Sequence, residues 1–293
     1  MIVDNAKLVS MDGALITFGT RVRILNNTLL DPNCPHVADY YYSERIIRGN
    51  RLNCGCELDE PLTTAYTQTI EDNCSGIYGK FVLPSTDRPA SDVLLRKFGN
   101  ATQLVGEITI VGTDVVDLSF LRNVGKIIPS YLNVKDREAK MYIRIENNSK
   151  LERLGWDMLQ EVLIVAIHIS NNPKLCYLTT ELDALFTTRD LDAVQGRICE
   201  AGPTDIEPPT QCRIGNEGNL SSIPGECQSL IGRLTIDQSS SPYDFWKLYN
   251  ITTIYGQLTV RNASIKGLSP LWKLTQIVNL ARECPSSSSA PLS

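Results

Sequence analysis

The chain repeats itself. Residues 104–110 read Leu-Val-Gly-Glu-Ile-Thr-Ile and are followed by Leu118, Leu121, Val124 and Ile127; residues 254–260 read Ile-Tyr-Gly-Gln-Leu-Thr-Val and are followed by Leu268, Leu271, Leu274 and Ile277. Counted from Gly106 and from Gly256, the four apolar positions fall at identical offsets. Upstream, Cys74 stands before Gly79 and Phe81-x-Leu83 as Cys227 stands before Gly232 and Leu234-x-Ile236. A second signature, Ile-x-(Asn/Asp)-Asn with Leu three residues on, occurs at Ile2–Asn5, Ile145–Asn148 and Ile169–Asn172, with Ile24–Asn27 as a looser copy. Self-similarity at a fixed period predicts a solenoid, in which each unit buries its apolar face on the next.

Short alternating segments fill these units: Ile108-Thr109-Ile110, Ile143-Arg144-Ile145 and Ile167-His168-Ile169. Alternation puts the isoleucines on one face of a strand and the polar residues on the other. Ile145 and Ile169 are 24 residues apart, enough for one coil of a β-solenoid whose strands stack in parallel. The apolar residues then form one continuous column, with Ile110, Ile145 and Ile169 as members. At the end of such a strand an Asn amide can satisfy backbone groups that lose their strand partner, so Asn5, Asn27, Asn148 and Asn172 are read as a ladder. The simpler reading is that these asparagines tolerate left-handed turn geometry. Helix-compatible stretches run over Val37–Ile47 and Thr179–Val194, and the polar, Pro-bearing stretches Asp59–Asp72 and Ala201–Glu226 read as linkers.

Charge and hydropathy exclude whole classes of function. A net charge of -5 without a basic run does not suit nucleic acid, which needs clustered Lys and Arg. The longest apolar run, Val162–Ile167, is far short of the roughly 20 residues that cross a bilayer. Asp4, Lys7 and Asp12 interrupt the start where a signal peptide needs an apolar stretch, and the repeat is already under way at Ile2. The expectation is a fragment of something longer.

Compartment is read from the cysteines and sequons. The chain has nine Cys, most of them at the edges of the repeat blocks, which suits staples in an oxidising environment. Asn26, Asn73, Asn100, Asn147, Asn219, Asn250 and Asn262 each begin an Asn-x-Ser/Thr acceptor, which favours an extracellular glycoprotein.

Three motifs taken in order resemble the L domain of the insulin receptor and epidermal growth factor receptor families. They are Asn73-Cys74-Ser75 with Ile77-x-Gly79, then Leu118-Ser-Phe-Leu121-x-Asn123-Val124 leading to Ile127, then Asn172-x-x-Leu175-Cys176. The arrangement is most similar to tandem receptor L-domain proteins of nematodes. The resemblance implies an α/β solenoid of right-handed parallel β-helix type, with one complete unit and two partial ones. Together with the repeat pattern and composition, it divides the chain into 1–55 (the second half of an L domain), 56–199 (a complete L domain), 200–226 (a linker with the start of the next unit), 227–284 (the first half of a further L domain) and a disordered tail at 285–293. It also implies the bridges Cys56–Cys74, Cys176–Cys199 and Cys212–Cys227; repeat symmetry adds Cys34–Cys54 and leaves Cys284 over. The Cys-rich region that follows a receptor L domain has no counterpart at Ala201–Gln211, so receptor architecture is not implied.

In those receptors the outward face of the main sheet meets ligand. Carried over by position, Thr109, Val111, Arg144, Glu146, His168 and Ser170 form that face here; the alternative is a solvated surface row. His36 and His168 are the only histidines, and neither sits near a recognisable nucleophile motif, phosphate loop or metal-binding helix. Asp114, Asp117 and Glu107 fall at coil edges, so no enzyme and no cofactor are expected. Cys34, His36, Cys54 and Cys56 admit a zinc reading, which disulfides explain more simply; no metal is expected. The functional expectation is a noncatalytic extracellular module that captures a peptide hormone or growth-factor-like ligand, as receptor ectodomain or secreted binding protein. The alternative is a structural or adhesive glycoprotein that self-associates.

Overall fold

The computed structural model describes residues 1–12, 21–31, 44–129, 142–163, 166–187, 191–200, 208–263, 265 and 267–280. The chain divides into two compact units, Met1–Val194 and Gln195–Ser293.

In the first unit a sheet of three strands joins β1 (Ile2–Val3), β2 (Arg21–Leu25) and β3 (Glu44–Arg48) in parallel, with Ile2 opposite Ile24 and Ile24 opposite Ile47. Further along, β4 (Cys56–Leu58), β5 (Ile77–Leu83) and β6 (Gln103–Val111) stack in parallel and in register. The sheet forks at β6. Its first half pairs with β7 (Lys126–Ile128), which pairs in turn with β9 (Glu161–Val162). Its second half pairs with β8 (Tyr142–Glu146), followed by β10 (Ala166–Ser170) and β12 (Leu191–Val194). A two-residue strand, β11 (Cys176–Tyr177), precedes a helix at Thr179–Leu185.

The fork lies at Gly106, whose φ of +148° is open to glycine and strained for other residues. Gly106 stands opposite Gly79, and a Cβ there would lie 1.7 Å from the Gly79 carbonyl oxygen. The strand can therefore bend between its two partners only because Gly106 carries no side chain.

Register builds the core. Ile110, Ile145 and Ile169 stand opposite one another in successive strands, as do Ile108, Ile143 and Ile167, and all six are fully buried. Phe81 packs edge-on against Phe98 and stacks on Phe120, with ring centroids 5.4 and 6.0 Å apart. Full burial of side chains of this size stabilises by about 1.5–3 kcal/mol each.

The strand ends share one device. Asp4, Asn26, Asn147 and Asn171 adopt left-handed φ angles between 54° and 59°, and Gly49 and Gly112 do the same at 69° and 65°. The residue after each makes the rung-to-rung bonds. Asn5 donates its N–H and Nδ2 to Asn27 Oδ1, Asn27 donates likewise to Asn50 Oδ1, and Asn148 likewise to Asn172 Oδ1. Each Nδ2 beyond the first also reaches back to an isoleucine carbonyl: Asn27 to Ile2, Asn50 to Ile24, Asn148 to Ile110 and Asn172 to Ile145. Thr113 takes the ladder position after Gly112, giving its N–H and hydroxyl to Asn148 Oδ1. Left-handed geometry and the amide ladder thus occupy adjacent residues rather than competing for the same one.

In the second unit, after β13 (Arg197–Ile198), β14 (Gln211–Asn219), β15 (Ser229–Ile236), β16 (Thr253–Val260) and β17 (Gln276–Val278) stack in parallel. Gly215, Gly232 and Gly256 stand in one row, as Gly79 and Gly106 do in the first unit. Cys212, Leu220, Leu230, Leu234, Leu248 and Ile254 form part of its core.

Several expectations change. Thr179–Val194 is a helix only to Leu185; Leu191–Val194 is strand, because Val194 pairs with Ile169 as the next member of the sheet. Glu44–Arg48 at the end of Val37–Ile47 is strand for the same reason, while 32–43 lies outside the described residues. Both supposed linkers carry regular structure: a helix at Thr64–Thr69 capped by the Thr63 hydroxyl, and β14, the first strand of the second unit's sheet. The repeated apolar positions also part company. Leu118 and Ile127 are buried, but Leu268 and Ile277 are 56% and 46% exposed, since β17 is the last strand of its sheet among the described residues. No described helix is long and apolar enough to cross a membrane.

Candidate functional site

On β6, β8 and β10 the face opposite the isoleucine column carries two rows set by strand register. Thr109, Arg144 and His168 stand opposite one another in the first, and Val111, Glu146 and Ser170 in the second. All six residues named from the sequence therefore meet in one patch, which the inward Ile-x-Ile alternation fixes.

Glu146 is the centre of the patch. Arg144 grips Glu146 Oε2 through its Nε at 2.7 Å and a terminal nitrogen at 2.6 Å. The Nε2 of His168 lies 2.8 Å from Glu146 Oε1 and 3.1 Å from the Ser170 hydroxyl. Both carboxylate oxygens are engaged, and the Glu146 side chain is only 13% exposed, against 46% for Arg144 and 40% for His168. Side chains held this way lose less freedom when a ligand docks, which favours binding. Ser170 departs from expectation: it is buried, because its short side chain sits beneath the imidazole. It supports His168 rather than facing solvent. Thr109 and Val111 are half-buried and give the patch an apolar edge.

At the coil edges Asp114 and Asp117 are held by neighbouring groups. Arg88 clamps Asp114, whose carboxyl is held below its usual range by that bond, with Lys150 adding to it from 3.6 Å. Asp117 accepts from the Ser119 N–H at 2.9 Å. Among the described residues no group of three His, Cys, Asp or Glu side chains is placed to hold a metal. Cys54 and Cys56 are disulfide-bonded, which removes them as zinc thiolates, while Cys34 and His36 lie outside the described residues.

Cys56 is bonded to Cys74 and Cys212 to Cys227; Cys176 and Cys199 are also disulfide-bonded. Cys284 and the 285–293 tail lie outside the described residues. All seven sequon asparagines are exposed.

The Thr179–Leu185 helix carries a buried acid, Glu181, that no sequence motif marks. Glu181 accepts from the N–H groups of Leu178 at 2.9 Å and Trp156 at 3.1 Å, tying the Thr179–Leu185 helix to the preceding rung. Burial pushes its carboxyl up, against the pull of those donors and of the Arg153 charge. The folded protein then holds a proton that the unfolded chain releases near pH 4.5, so Glu181 destabilises progressively as pH rises above that point. Unfolding midpoints in urea across a pH series are expected to show Glu181→Gln gaining on the parent as pH rises through the raised value. Parallel curves for the two proteins would remove the argument.

Residues 73–187, which include the whole patch, match the model of the receptor L domain family. Over 236 residues the chain is 30% identical to Protein irld-34 of Caenorhabditis elegans, which covers 75% of this chain and 55% of that protein. The chain thus spans about half the length of the curated relative it matches. No solved structure matches it.

Proposed function

We propose that the chain is a noncatalytic extracellular module that recognises a peptide hormone or growth-factor-like ligand through the Arg144–Glu146–His168 patch. The supporting observation is the geometry of that patch, a guanidinium and an imidazole pre-positioned by one shielded carboxylate on the open face of a receptor L domain. A receptor L domain with oxidised cysteines favours an extracellular location. Exposure of every sequon asparagine is compatible with glycosylation at Asn26, Asn73, Asn100, Asn147, Asn219, Asn250 and Asn262. In-register parallel rungs support a right-handed parallel β-helix as the architecture that displays the patch.

The reading is tested by titrating the glycosylated protein against a panel of small disulfide-rich peptides. Saturable binding is expected, and Arg144→Ala, on an exposed side chain, weakens it about tenfold or more without moving the unfolding midpoint, as removal of a central contact does. Absence of saturable binding together with homophilic association would instead support the adhesive glycoprotein.

A further inference from the structure

The second unit carries exposed aromatic surface. Tyr243, Trp246, Tyr249 and Trp272 are 87%, 53%, 49% and 70% exposed. An exposed ring of this size offers apolar surface that a ligand or a modification can cover. One of the four stands beside a modification acceptor. Lys273 donates its ammonium to Asn250 Oδ1 at 3.0 Å and lies 5.2 Å from the centroid of the Trp272 ring. Asn250 begins the sequon Asn250-Ile251-Thr252 and is itself exposed.

The same position in the first unit provides an internal comparison. Asn100-Ala101-Thr102 occupies the equivalent place: the Thr102 and Thr252 carbonyls accept from Gly125 and Thr275 N–H groups, and both hydroxyls donate to the preceding rung. There, however, Arg122 and Asn123 stand where Trp272 and Lys273 stand here. Asn100 also spends its Nδ2 on Asn73 Oδ1 at 3.1 Å, whereas Asn250 has its Oδ1 held and its Nδ2 unengaged among the described residues. Two otherwise equivalent acceptors thus differ in having an indole within reach.

We infer that an N-linked glycan on Asn250 folds back onto Trp272, its first pyranose ring laying a C–H face against the exposed indole while Lys273 fixes the angle at which the glycan leaves the chain. The inference rests on the extracellular reading, since the sugar comes from a polyprenyl-diphosphate oligosaccharide in the secretory route. In that transfer Asn250 Nδ2 forms a bond to the anomeric carbon, loses one proton, and displaces the polyprenyl diphosphate. Sugar C–H groups are apolar on one face of the ring and suit the electron-rich face of an indole.

The test uses the full chain secreted from a glycosylating host. The native glycoprotein is digested with peptide N-glycosidase, and loss of glycan at each sequon is followed by glycopeptide mass spectrometry. Asn250 is expected to be released about tenfold slower than in Trp272→Ala, equivalent to a contact of about 1.4 kcal/mol, while release at Asn100 is the same in both proteins. Equal release at Asn250 with and without the indole overturns the inference, and so does an empty Asn250 beside occupied sequons elsewhere. If no sequon is occupied, it is the extracellular reading that fails.

Discussion

Gly106→Ala is expected to cost about 4 kcal/mol of folding free energy, from about 1–3 for a side chain forced to positive φ and about 1–3 for overpacking. The overpacking has a named partner, because the new Cβ would meet the Gly79 carbonyl oxygen at 1.7 Å in the middle of a parallel pair. The backbone oxygen cannot swing away without breaking the ladder, so the two strands must separate. With domain stabilities of about 5–15 kcal/mol, much of the folded margin would go. Urea unfolding monitored through the buried Trp156 measures it. Gly267→Ala is the control, since nothing lies within 4 Å of its Cβ position, and it should unfold with the parent. A Gly106→Ala midpoint equal to that of the control would refute the account of the fork.

The second large effect is expected at Asn148. Its Oδ1 takes two bonds from Thr113 and its Nδ2 gives to Ile110 O and Asn172 Oδ1, all in buried surroundings. Asn148→Ala removes one partner from each and leaves the others without water, at about 1–3 kcal/mol per stranded group before relaxation. A net loss of about 3 kcal/mol is the expected result. Asn147 beside it is exposed and serves through its φ of 57°, so Asn147→Gly should be close to neutral. The pair separates two roles that one dipeptide combines. Equal thermal shifts for Asn148→Ala and Asn147→Gly would mean that the amide ladder contributes nothing.

How much of this is legible in the sequence depends on how strictly the chain spells it. Ile-x-Asn-Asn marks the strand ends plainly at Ile145 and Ile169, because side-chain identity there reports both turn geometry and amide bonding. Gly49-Asn50 and Gly112-Thr113 do the same work with glycine in the left-handed place, and a search for paired asparagines passes over them. Recovering both requires Gly at the third position, any short hydrogen-bonding residue at the fourth, and no demand for the Leu three residues on, where Asn53 and Val116 stand. Alternation turns Arg144, Glu146 and His168 outward and the resemblance marks that face, yet both are silent on Ser170, whose burial comes from the imidazole above it. Nor does local sequence distinguish helix from strand at Leu191–Val194; pairing with Ile167–Ile169, more than 20 residues away, decides that. Glu181 is not legible in the sequence because its importance lies in burial, which no single residue announces.

One further consequence comes from the spacing of strand partners. Ile2 faces Ile24, Ile24 faces Ile47, Ile143 faces Ile167 and Leu230 faces Ile254, so in these sheets each segment finds its mate just one lap earlier or later in the chain. Across the parallel pairs the spacing between partners runs from 16 residues at Asn219 and Thr235 to 35 at Ile108 and Ile143, so the entropic cost of each closure depends on its own loop and does not grow as strands are added. Assembly of each sheet can therefore advance like a zip from any seed that holds two neighbouring teeth.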